Sequence, residues 1–106
     1  MIRTQKIIAP LASLKAQERY IVHATADEYY LPDELLEQAL SALELESNSV
    51  HVKKLKEQIN NFSFPDPYLP QELVHEYKPW IYIRELAIAY LKEVGFDLLK
   101  WEKNEL

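Results

Sequence analysis

The stretch from Pro79 to Gly95 constrains the fold more than any other part of the chain. It carries a proline at the first helical position and a glycine just past the end, the usual punctuation of a helix. Between them Trp80, Ile83, Ala87, Tyr90, Leu91 and Val94 recur at spacings of three and four and line one face. Ile81 and Ile88 lie on the other side, so the helix is apolar nearly all round. That pattern predicts a central core helix over about residues 80–94. Such a helix would run roughly 24 Å, enough to cross a small domain.

Gly95 is the only glycine among 106 residues. The scarcity argues against sandwiches and barrels, whose tight turns need positive φ, and it excludes glycine-rich phosphate loops. The absence of cysteine excludes disulfides, thiolate zinc sites and cysteine nucleophiles. No segment approaches the roughly 18 apolar residues of a membrane span. The apolar run before Pro10 is too short for a signal peptide. The expectation is a soluble, cytoplasmic, single all-α domain of four to five helices, with room for a short strand at either terminus.

Residues 1–9 read as an extended arm or short strand that docks through Ile7 and Ile8. From Leu11 the spacing of Leu14, Ile21, Val22, Thr25 and Tyr29 predicts a helix to about Tyr30, although the β-branched run from Arg19 to Thr25 also suits a strand. Leu31-Pro32-Asp33-Glu34 restarts a helix, with two acids at the positive end of its dipole. Leu35, Leu36, Ala39, Leu40 and Leu43 carry it to about Glu46. Asn48 or Ser49 can cap the next helix, which runs on Val50, Val52, Leu55 and Ile59 to about Asn61. Residues 62–70 form a rigid proline-rich connector, Pro70 opens a short helix over Gln71 to Tyr77, and the tail after Gly95 folds back as a helical turn or strand that frays over 103–106. Leu31-Pro-Asp-Glu-Leu is echoed by Leu69-Pro-Gln-Glu-Leu 38 residues later, which reads either as a repeat or as one helix-start recipe used twice.

Charge is unevenly placed. The net charge is −5, yet Tyr20 to Val52 holds seven acids and no Lys or Arg, which leaves 10 acids and 12 bases elsewhere. An acidic half disfavours nucleic acid and anionic membranes and favours a basic partner. Lys53, Lys54 and Lys56 make too small a basic face to mark a nucleic-acid footprint. Among residues that could do chemistry, His23 with Asp27 and Glu72 with His75 have helical spacing. The single Glu-x-x-His is only half of what a di-metal bundle uses. The serines lack a strained glycine-flanked turn. Arg84, flanked by Ile81 and Ile88, reads as the partner of Glu85 or another acid at the core edge, or else as an anion contact. No cofactor and no metal is expected, and the chain does not read as an enzyme.

The segment richest in recognition chemistry is Asp27-Glu28-Tyr29-Tyr30-Leu31-Pro32-Asp33-Glu34. Tyrosine buries large area at little rotamer cost and keeps a hydroxyl for bonding. Flanking carboxylates steer a basic partner. Over four residues this patch resembles the acid-rich Tyr-Tyr-Pro patch of the small helical immunity proteins that neutralise bacteriocin nucleases, although there the pair occurs late in the chain. The resemblance implies a mechanism: an acidic immunity- or antitoxin-type inhibitor covers the basic cleft of a partner protein such as a nuclease. Tyr29 and Tyr30 would be its anchors, and Asp27, Glu28, Asp33, Glu34 and Glu37 its steering rim. Two alternatives stand beside that expectation. One is a structural adaptor or self-assembling subunit that forms a homo-oligomer. The other is a small metal-dependent enzyme using His23, Glu72 and His75.

Overall fold

A computed structural model of the chain describes residues 2–106 (for Ile2, the backbone alone). All its regular structure is helical: α1 (Ile2–Ala12), α2 (Leu14–Gln17), α3 (Pro32–Leu43), α4 (Val50–Asn60), α5 (Pro70–His75), α6 (Lys78–Glu93) and α7 (Leu98–Glu105). The all-α expectation holds for a single small domain, with more helices than four or five because short ones fill the corners.

Helix α6 packs against α1 on one side and α4 on the other, and α3 closes the ring by contacting both α1 and α4. The expected stripe of α6 is buried from Trp80 to Leu91, whereas Val94, at the helix end, is 38% exposed. Ile88 is 43% exposed, so α6 is central without being covered all round. The molecule measures 35 × 32 × 19 Å, about two helix diameters in its shortest direction, which leaves one flank of α6 open. Gly95, at φ 74°, ends the helix. Its N–H donates to the Lys92 carbonyl at 3.2 Å and the Phe96 N–H to the Leu91 carbonyl at 2.9 Å. These two bonds make the left-handed cap that favours glycine.

Three readings need correction. Residues 2–9, read as a docking arm or strand, are the first turns of α1, whose Ile8, Ala9, Leu11 and Ala12 are buried; Met1 lies outside the described residues. The arm reading failed because the helical spacing of this segment continues through Pro10 into Leu11 and Ala12. Secondly, the segment from Leu11 to Tyr30 is neither one helix nor a strand. Ser13 adopts extended φ/ψ (−91°, 109°) and caps α2, accepting from the Ala16 N–H at 3.0 Å. α2 then widens into a π-helical turn over Glu18–Val22. The chain leaves helix at His23, and the Thr25 hydroxyl takes the Glu28 N–H at 3.1 Å, a local bond that competes with helix. Finally, the tail stays helical through Glu105, and the Arg19 guanidinium donates to the Leu106 carbonyl, where fraying was expected.

The other boundaries fall close to expectation. Ser49 caps α4, accepting from Val52 at 3.2 Å. Both Leu-Pro-x-Glu-Leu copies open helices with an extended Leu and Pro in the first turn. Only the second has its Glu reaching back, Glu72 accepting from the Leu69 N–H at 3.0 Å, and the helices that follow run 12 and 6 residues. The echo is local helix-start chemistry. In the connector after α4, Phe62 stacks edge-on with Phe64 and Trp80, and the Tyr77 hydroxyl donates to the Ser63 carbonyl at 2.7 Å.

Candidate functional site

The acidic tyrosine segment lies in the loop between the π turn and α3. The Tyr30 N–H donates to the Tyr20 carbonyl at 2.8 Å, and the two rings meet with centroids 4.7 Å apart. Arg19 sits 5.3 Å from the Tyr20 ring centre and 3.7 Å from the Glu28 carboxylate. Tyr30 is therefore a half-buried pin that fastens the loop to the π turn. Burial first, then the neighbouring Tyr20 and Glu105, push its phenol up to about 12. Tyr29 is 54% exposed. The two rings do not act as a pair of exposed anchors; one holds the loop and the other is offered to solvent.

Asp27, Glu28, Asp33, Glu34 and Glu37 are all exposed. Asp33 and Glu34 occupy the first turn of α3, where the helix dipole accommodates them. Only Glu28 has a basic side chain within 4 Å among the described residues. Four of the five carboxylates are thus left to act on the solvent side, and they extend from the tyrosine loop onto the outer face of α3.

Beside Tyr29 the surface is concave. A cleft of about 360 Å³ is walled by Tyr29, Tyr30 and Leu31 from the loop, by Glu34, Leu35 and Gln38 from α3, and by Pro10 from α1. A second depression, of about 460 Å³, continues along the same seam between Arg3, Thr4 and Ile7 of α1 and Gln38, Ser41, Ala42 and Leu45 at the far end of α3. Gln38 borders both, so the two lie end to end as a furrow of two depressions along the α1–α3 seam. The second depression is lined mostly by apolar surface and the first by a mixture of polar and apolar surface, and among the described residues Leu45, at 78% exposed, is the most open of the large apolar side chains. The sequence reading missed this furrow because it took residues 1–9 for an arm. One signal was available: Leu45 falls outside the apolar stripe of Leu35, Leu36, Ala39 and Leu43, and in the structure it lies just past the end of α3.

The residues considered for other chemistry are dispersed. His75 pairs with Glu18 at 3.5 Å and joins α5 to the π turn, while Glu72 is engaged at the start of α5. His23 is exposed at the mouth of a small cleft beside Arg19 and Thr25. His51 pairs with Glu93 at 3.3 Å, tying α4 to α6. Among the described residues no three His, Asp or Glu side chains gather closely enough to hold a metal ion.

Arg84 is neither an acid's partner at the core edge nor an anion contact. It is buried, donating at 2.9 Å to the Gln17 side-chain oxygen and at 2.9 Å to the Val74 carbonyl. Burial lowers its pKa, and the fields of Glu85 and Glu18 act against that shift. Gln17 is fully buried and is the hub of this cluster. Its oxygen also accepts from the Trp80 indole at 3.0 Å, and its amide nitrogen donates to the Pro10 and Leu11 carbonyls at 3.2 and 2.6 Å. The cluster ties α1, α2, α5 and α6 together.

Comparison of the chain with protein-family models, with curated proteins and with solved structures found no match. Among the described residues no helix is long and apolar enough to cross a membrane.

Proposed function

We propose that the protein is a non-enzymatic protein-binding module whose acidic edge engages a basic partner. The observation that carries this reading is the set of exposed carboxylates Asp27, Asp33, Glu34 and Glu37, none of which has a basic side chain within 4 Å among the described residues, next to the exposed Tyr29. Aligned like charges accelerate encounter with a basic surface, and a solvent-facing tyrosine beside a cleft supplies contact area at small entropic cost. The most concrete form is an immunity- or antitoxin-type inhibitor that covers the basic cleft of a nuclease-like partner, acting in the cytoplasm. In that form Tyr29 is the anchor, Tyr30 holds the loop in place and the five carboxylates steer.

The test is retention of proteins from the source organism's lysate on immobilised wild type, compared with Tyr29→Ala and with Asp33→Lys/Glu37→Lys, at low and high salt. The reading expects a basic protein held by wild type at low salt, released near 1 M salt, where screening shortens to about 3 Å, and lost from the charge-reversed bait. Equal retention by all baits, or retention unaffected by salt, overturns it. A self-assembling subunit is a second reading, favoured by Leu45, Leu69 and Leu99, which are 78%, 55% and 70% exposed. It expects a homo-oligomer whose affinity barely responds to salt.

A further inference from the structure

We propose that the furrow between α1 and α3 is a docking groove for an amphipathic helix of the partner, with lysine or arginine along the flank that faces α3. The proposal rests on the protein-binding reading above and deepens it by naming where the partner enters and in what form.

Three observations carry it. The first is shape. The two depressions share Gln38 and flank α3 from Leu31, just before it, to Leu45, just past it; the 12 residues of α3 at about 1.5 Å each give roughly 18 Å, the length of a helix of about 12 residues. Between the walls of two contacting helices an incoming helix meets the same ridge spacing that packs helices in cores. The second is chemistry. Ile7 and Pro10 on α1 and Leu45 just past α3 supply apolar surface, while Ser41 is small enough to leave room above it. An amphipathic helix laying its apolar stripe into such a groove is a recurrent mode of recognition. The third is charge. On the α3 side Glu34 borders the furrow, Glu37 and the C-cap residue Glu44 are exposed nearby, and no Lys or Arg lies anywhere between Tyr20 and Val52, whereas Arg3 borders the furrow from the α1 side. A cationic flank complements that wall, and an acidic one is repelled by it.

A fluorescein-labelled 16-residue peptide of leucine and lysine, with leucines at helical spacing, is the probe. It is compared with a peptide of the same composition whose leucines are dispersed, and with a leucine–glutamate counterpart. Fluorescence anisotropy at low salt is expected to show binding of the patterned lysine peptide at least tenfold tighter than either control. Ser41→Trp, which fills the furrow from an exposed position, is expected to weaken that binding at least tenfold, whereas Lys92→Trp on the open flank of α6 leaves it unchanged. Gln38→Trp is the second obstructing variant, and circular dichroism and thermal melts establish that each variant is folded.

If binding falls with Glu37→Lys and with salt but ignores both Ser41→Trp and Gln38→Trp, the groove is overturned while the acidic-edge reading stands. If dispersed and patterned peptides bind alike, or no peptide binds, the groove is also overturned, and the pull-down decides the acidic edge by itself. A glutamate peptide that binds as tightly as the lysine one overturns the charge assignment. Dimerisation of the protein that Ser41→Trp abolishes makes a second copy the occupant and overturns the proposal.

Discussion

Two glutamines mark the two sides of α1. Gln17, just past its end, is fully buried and bonded to two carbonyls of α1, to Trp80 and to Arg84. Gln38, across the α3 seam, is exposed and borders both halves of an open furrow. The same side chain closes the molecule in one place and lines an open surface depression in the other. Residue chemistry alone does not assign structural or recognition roles here. Whether the donors and acceptors find partners inside the chain does, because an unpaired buried polar group is costly and an exposed one is nearly neutral.

The contrast can be broken by substitution, and the largest effect belongs to the closed side. Gln17→Leu strands the Trp80 indole N–H, part of the Arg84 guanidinium and two α1 carbonyls, and is expected to cost about 3–5 kcal/mol in urea denaturation. Adding Arg84→Met should recover part of that loss, because it removes the stranded cation; strict additivity of the two would show that they are not coupled. Gly95→Ala lies outside both regions and serves as a calibration. Its positive φ sets an expected cost of about 1–2 kcal/mol, with nothing sterically in the way of the added methyl. Ser13→Ala removes the α2 cap and the hydroxyl that donates to Glu102 on α7, and about 1 kcal/mol is expected from the same measurement.

At the mouth of the open side the effect is smaller and depends on pH. The Tyr30 phenol holds its proton to about 12 in the folded protein, whereas in the unfolded chain it is lost near the ordinary value of 10.0. Between those values the unfolded chain binds fewer protons, so stability is fully present below pH 10 and falls as pH rises through the window. Tyr30→Phe should flatten that decline in denaturation curves taken from pH 8 to 11, and an unchanged slope would remove Tyr30 as its source. Smallest of all, Gln38→Ala is expected to change stability by no more than about 0.5 kcal/mol, as for an ordinary surface site. A loss approaching that of Gln17→Leu would erase the distinction between the two sides.

Much of the fold was legible because it rests on local chemistry. Pro and Gly bracket α6, proline opens α3 and α5, Ser49 caps α4, and apolar spacing marks the buried faces of α3, α4 and α6. The candidate site was legible only in its composition. Acids and tyrosines at 27–34 were visible as a cluster, but Tyr29 and Tyr30 look alike in sequence. Their different roles come from the bond between the Tyr30 N–H and the Tyr20 carbonyl, ten residues away and in a different element. Ser13 is a favourable N-cap residue, but serine is also tolerated inside helices, so the residue type alone does not announce that one helix ends and another starts there.

By itself, then, the sequence determined an all-helical chain, the positions of most helix starts and the concentration of acids between Tyr20 and Val52. Those properties depend on φ restriction, capping and composition, which act within a few residues. Only the tertiary structure decided that Arg84 turns inward to Gln17 and Val74, that residues 2–12 are a wall of the core, and that α1 and α3 leave a furrow along their seam. Each of these depends on which surfaces meet across the chain, and burial, the largest energy in folding, is decided there.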